Sequence, residues 1–205
     1  MNKHPLATTA SALAITALLA TFGATQPANA APTPAPMSES NTMKMGMGAA
    51  GDISFTQMML PHHQQAIQMS NLALKHAKSP LVLALAKQIK AAQTPESTML
   101  RAWLKGWGAP MSPAMDHSSS GSMSGMTAGS TGMMNEADIA KLARARGTNF
   151  DNKWLQMMIT HHQGAIASSR QVLKTTSNGL VQKLAKSIIA GQSTEIATMK
   201  QLLAK

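Results

Sequence analysis

The chain repeats itself. Shifted by 99 positions, residues 52–106 align with 151–205 without a gap, and 22 of the 55 positions are identical. FTQMMLPHHQQAI (55–67) faces WLQMMITHHQGAI (154–166), and LVLALAKQIKAAQTPE (81–96) faces LVQKLAKSIIAGQSTE (180–195). Identity of that density without an insertion marks one structural unit used twice. The fold must therefore be one that two copies of a short unit can build together. The 205 residues include 3 Phe, 3 Trp and no Tyr, a poor supply of the aromatics that fill large β cores.

Each unit reads as a helical hairpin. Asp52 and Asp151 stand as natural N-caps, and the apolar pattern after them keeps helical spacing to about His76 and Thr175. Ser79-Pro80 and Asn178-Gly179 mark the turns, after which second helices run from Leu81 to about Lys105 and from Leu180 to the C-terminus. A short helix is expected from Glu136 to Arg146, capped by Asn135 and stopped at Gly147. Pro61 and Pro95 stand where the second unit has Thr160 and Thr194, and each should kink its helix. Two hairpins of similar length predict an all-α protein, a four-helix bundle.

Outside the units the sequence changes character. Residues 1–30 combine Lys3, an apolar run from Leu6 to Phe22 and Ala28-Asn29-Ala30, the pattern of a Sec signal peptide cleaved after Ala30. The run is too short and too diluted by Thr and Ser for a bilayer anchor. Export to the periplasm or beyond is the expectation, with no stable membrane insertion after cleavage. Residues 31–51 and 108–134 are rich in Pro, Gly, Ser and Met, and both should be flexible linkers. The hairpins then occupy 52–107 and 135–205. The formal net charge is +10, but an exported chain has little access to nucleic acid, so the lysines read as solvated helix faces. The absence of Cys excludes disulfides, thiolate metal sites and Cys nucleophiles.

The helix faces carry a polar surprise. With Met58 at zero and about 100° per residue, Phe55, Met59, His62, His63, Ala66, Met69 and His76 all fall within an arc of roughly 140°. Met157, Met158, His161 and His162 repeat the arrangement. On the second helices, Gln93 and Glu96, and likewise Gln192 and Glu195, fall inside the apolar stripe. A carboxylate on a core face is costly unless paired, and the histidines are its available partners. Such pairs serve equally well as structural bonds, and Met at helical spacing is commonly core filler. The linkers shift the balance. Met43, Met45, Met47, Met111, Met115, Met123 and Met126, with His117, have no core to fill, and exposed thioethers are an oxidation liability unless used. Thioether with imidazole selects Cu(I), and by analogy Ag(I). Met58–His62 and Met59–His63 have the four-residue spacing by which two side chains can reach one ion.

The MMLPHHQQAI and MMITHHQGAI segments, with the later QTPE and QSTE, resemble the domain of unknown function 305 (DUF305) family. The resemblance covers both repeats. It implies an exported, helical, ferritin-like protein, in a family that includes a Met/His-rich periplasmic copper-binding member linked to copper resistance. It also implies ligand roles for Met58, Met59, His62 and His63, and for Met157, Met158, His161 and His162. Ser168 replaces Met69 and Thr175 replaces His76 in the second repeat, which should weaken its binding.

Three classes of function follow. The first is sequestration of copper, and silver, with other periplasmic copper-handling proteins as partners. The second is an envelope interaction module in which the His–Glu pairs are structural. The third is a metal oxidase, disfavoured because a di-iron bundle wants about four inward Glu with two Glu-x-x-His motifs, and the chain has none of the latter. No enzymatic activity is expected.

Overall fold

In a computed structural model, residues 48–112 and 131–204 are described. The expected signal peptide (1–30), Met43, Met45, Met47, Met115, His117, Met123 and Met126 lie outside them. Among the described residues five α-helices follow in order: α1 (Ala50–His76), α2 (Pro80–Gly106), α3 (Glu136–Arg144), α4 (Gly147–Val172) and α5 (Gly179–Leu203). The described residues contain no strand. α1 and α2 form one hairpin and α4 and α5 the other, while α1 and α4 make the main junction between them. The expected all-α bundle of two repeated hairpins is the fold observed.

Two apolar clusters define how the hairpins meet. One joins Ala66 and Met69 of α1 and Val82–Ile89 positions of α2 to Phe150, Trp154 and Met158 of α4 and Met199 of α5. The other joins Phe55, Met59 and Leu60 of α1 and Leu100, Trp103 and Leu104 of α2 to Ala165 of α4 and Val181, Leu184 and Ile188 of α5. The first half of α1 thus shares a cluster with the second half of α4, and the second half of α1 with the first half of α4. The two helices run antiparallel, and the repeats face each other about a local two-fold. Trp154, fully buried, fixes the junction by donating its Nε1–H to the Met69 carbonyl at 3.0 Å.

Several helix ends differ from expectation. Asp52 and Asp151 are buried inside helices that begin earlier, at Ala50 and Gly147. Asp151 instead holds the turn of the other hairpin: its carboxylate accepts from the backbone N–H of Lys78 at 3.0 Å and Ser79 at 2.8 Å, just before α2. Spacing along one segment of sequence cannot reveal a bond supplied from across the bundle. The short helix ends at Arg144, and Gly147 opens α4 with φ +60° instead of stopping α3. Asn135 does cap α3, accepting from Asp138 N–H, and Asn178 caps α5 through Leu180 N–H. Pro61 and Pro95 both sit within uninterrupted helices. Leu81 and Leu180, at the edges of their stripes, are half exposed.

The described ends of the long linker are held to the bundle. Gln57 donates its amide to the Pro110 carbonyl at 3.0 Å. Gln65 binds Met134 through both ends of its amide, at 2.8 and 2.7 Å. Met111, next to Pro110 in the chain, lies on the surface.

Candidate metal centre

Between the two apolar clusters lies a polar layer to which all four long helices contribute. α1 brings His62 and His63, α4 brings His161 and His162, α2 brings Gln93 and Glu96, and α5 brings Gln192 and Glu195. All four imidazoles are fully buried. They are buried because helical spacing sets them on the same face as Phe55, Met59 and Ala66, which the clusters require inside.

The layer has a regular internal order. His63 Nε2 meets Glu96 Oε2 at 2.8 Å, and His162 Nε2 meets Glu195 Oε2 at 2.7 Å. Equivalent residues of the two repeats make the same bond, with Glu195 buried and Glu96 half-buried. His62 and His161, also equivalents, stack on each other at the local two-fold, ring centroids 3.7 Å apart and planes tilted by 36°. His62 Nε2 donates to the Thr131 carbonyl at 3.1 Å, because a carbonyl oxygen can only accept.

These bonds leave at least one nitrogen on each ring uncommitted. The Nδ1 atoms of His62, His63, His161 and His162 are buried without a hydrogen-bond partner, as is Nε2 of His161. Both ends of the Gln93 amide and the oxygen of Gln192 are likewise unpartnered. Native interiors seldom leave so many polar atoms unsatisfied in one place. Burial, with neighbouring His63 second, pushes His62 from 6.5 down to about 3. Burial, with facing His62 second, holds His161 well below the ordinary imidazole range. Both rings are therefore neutral near pH 7 and carry a lone pair that a soft cation could take.

The thioethers are distributed around this layer. Met59 and Met158 are fully buried one turn before His63 and His162, while Met58 and Met157 are half-buried one turn before His62 and His161. Met69 lies in an apolar cluster about 10 Å further along α1. His76 is about 21 Å from His62 along the same helix, its ring set edge-on against Phe150 at 5.8 Å. The structure thus gathers His62, His63, His161 and His162 with Glu96 and Glu195, sets Met58, Met59, Met157 and Met158 one turn away along α1 and α4, and places Met69 and His76 further along α1 and Met111 on the surface. Among the described residues, no three His, Asp or Glu side chains converge as a ready cage. The donor set is imidazole with thioether, the combination suited to Cu(I) rather than to hard cations.

Three positions at the centre had no motif to announce them. Gln65 and Gly164 occupy the same place in the two repeats, and Thr131 belongs to the linker. The one available signal was that Gln65 and Gly164 differ where the residues on both sides, HHQ and AI, are identical.

The family model described as domain of unknown function (DUF305) matches residues 52–203. No curated protein matches the chain in sequence. A DUF305 fragment from Deinococcus radiodurans is similar with a TM-score of 0.67 at 28% identity, over 78% of this chain and 99% of that one. A DUF305 protein of Streptomyces coelicolor, described as a candidate secreted protein, gives 0.66 at 30% identity, over 76% and 93%. CopM in its Cu(II)-bound form gives 0.60 at 34% identity, over 74% and 95%, and CopM has also been solved with Cu(I) and with Ag bound. With the family model spanning both hairpins and the histidine layer between them, the chain belongs to the DUF305 family.

Proposed function

We propose that this chain binds copper as Cu(I), and silver by the same soft-donor chemistry, sequestering it outside the cytoplasm for metal resistance or homeostasis. The observation that carries the proposal is the buried layer of four imidazoles with unpartnered Nδ1 atoms, flanked by Met58, Met59, Met157 and Met158. Glu96 and Glu195 orient the His63 and His162 rings, and a hydrogen-bonded carboxylate also raises the basicity of the imidazole it holds. Similarity to CopM, a protein solved with Cu(II), Cu(I) and Ag bound, supports the reading. The linker residues Met43, Met45, Met47, Met111, Met115, His117, Met123 and Met126 add donors of the same kind. Export rests on the leader-like residues 1–30, and on the likeness to a candidate secreted protein. No helix of the described residues is long and apolar enough to cross a membrane. The chain binds and does no catalysis in this reading, and its partners are metal ions and other copper-handling proteins of the periplasm.

The His63–Glu96 and His162–Glu195 bonds favour a second reading, an interaction module whose polar layer is purely structural. Titration of residues 31–205 with Cu(I) against a competing chromophoric chelator separates the two. Tight binding of more than one Cu(I), reduced when His62, His63, His161 and His162 are all Ala, is expected. Binding unchanged in that variant would move the sites to the linker methionines. Binding no better than a generic peptide would leave the structural reading standing.

A further inference from the structure

The local two-fold is broken where Gln65 faces Gly164. In the first repeat, Gln65 clamps the Met134 backbone through both ends of its amide, at 2.8 and 2.7 Å. In the second repeat the equivalent residue is Gly164, and a Cβ there would collide with the Thr131 carbonyl and the Gly132 nitrogen. Gly132 itself has φ +72° and leaves no room for a Cβ against the Thr160 carbonyl. The same repeat position therefore does two jobs. On one side it grips the segment Thr131–Met134, and on the other it lets that segment lie directly on α4. The carbonyl so seated is the acceptor for His62 Nε2–H at 3.1 Å.

His62 and His161 are equivalent by sequence but not by partner. His62 has its Nε2 proton committed, whereas both ring nitrogens of His161 are unpartnered. Since a carbonyl can only accept, the bond fixes the Nε2–H tautomer of His62 and leaves Nδ1 as its lone-pair atom. The stacked contact at 3.7 Å then sets that ring against His161, which has no hydrogen bond of its own to fix its tautomer.

We propose that Gln65 and Gly164 are positioning residues for the histidine centre: together they seat the Thr131 carbonyl, which holds His62 in the Nε2–H tautomer and makes Nδ1 the atom it offers to a soft metal ion. The statement about the ion rests on the copper reading above, while the statement about the ring stands without it.

The test uses ¹⁵N-labelled full-length protein free of metal near neutral pH, with long-range ¹H–¹⁵N correlations assigned by loss of peaks in His62→Gln. His62 is expected to be predominantly Nε2–H in the wild type, and to become a mixture of tautomers in Gln65→Ala and in Gly164→Ala. His63 and His162, held by their own glutamates, keep their signals and report an intact fold. Gln65 is only half-buried, so Gln65→Ala decides the matter if Gly164→Ala fails to fold. A His62 tautomer unchanged in a folded variant removes that residue from the proposal, and unchanged in both it overturns the proposal. Ag(I) competition then reads the second half. An affinity about 10- to 100-fold weaker in Gln65→Ala is expected, the usual effect of losing a group that orients a ligand. Unchanged Ag(I) affinity with an altered tautomer overturns the ligand assignment of Nδ1. If the wild type binds no Ag(I), the copper reading fails while the tautomer result still decides the positioning role.

Discussion

At the scale of single residues, the decisive feature is that four imidazoles are taken wholly out of water and two of them receive no carboxylate. His63 and His162 have Glu96 and Glu195, whereas His62 and His161 have each other. Their protons are bound more weakly in the folded chain than in the unfolded one. The unfolded state therefore takes up more protons as the pH falls, so stability is full above pH 6.5 and declines from there towards the folded value of about 3 for His62. His161 acts in the same direction, so both rings add to the decline as the pH falls. Urea unfolding between pH 7 and 4.5 is expected to show a falling midpoint, with a flatter slope in the His62→Gln/His161→Gln variant. A midpoint that stays level across the window would contradict the burial of these rings as neutral groups.

At the scale of elements, the two repeats have diverged in how their helices are started. Asp151 accepts two backbone N–H groups at the entrance to α2, tying α4 to the turn of the other hairpin. Its repeat equivalent, Asp52, has a buried Oδ1 with no partner, and Asn178 caps α5 from within its own hairpin. Asp151→Ala is expected to cost about 1–3 kcal/mol, the range for leaving buried donors unsatisfied, and Asp52→Ala distinctly less. Denaturant midpoints of the two variants, measured side by side, check the difference. Equal losses would mean that the carboxylates act through burial alone and not through the bonds to the turn.

At the scale of the whole molecule, neither hairpin owns a core. Each apolar cluster takes residues from α1 and α2 and from α4 and α5, and the stacked His62–His161 pair is itself shared. Separated hairpins would expose Met59, Met69 and Trp154, which are fully buried in the intact chain. Fragments 48–112 and 131–205 are each expected to be weakly helical alone and to regain helicity when mixed in equal amounts, as read by far-ultraviolet circular dichroism. Full helicity and cooperative unfolding of fragment 48–112 as a monomer would show that the hairpin is an independent domain.

The sequence by itself determined whatever depends on spacing along one chain. The 99-residue repeat, the helical periodicity, the turns at Ser79-Pro80 and Asn178-Gly179 and the inward face of His62, His63, Gln93 and Glu96 all follow from it. Periodicity assigns a side chain to a face, and a face is a local property of a helix. Only the tertiary structure decided which face meets which. The antiparallel crossing of α1 and α4 brings His62 onto His161, carries Asp151 to the start of α2 and lays Thr131 against Gly164. It also leaves Met69 and His76, on the same face as His62, one and more turns beyond the polar layer. Those relations join residues 33 to 99 positions apart, and no propensity of a single segment encodes the partner it will find across a bundle.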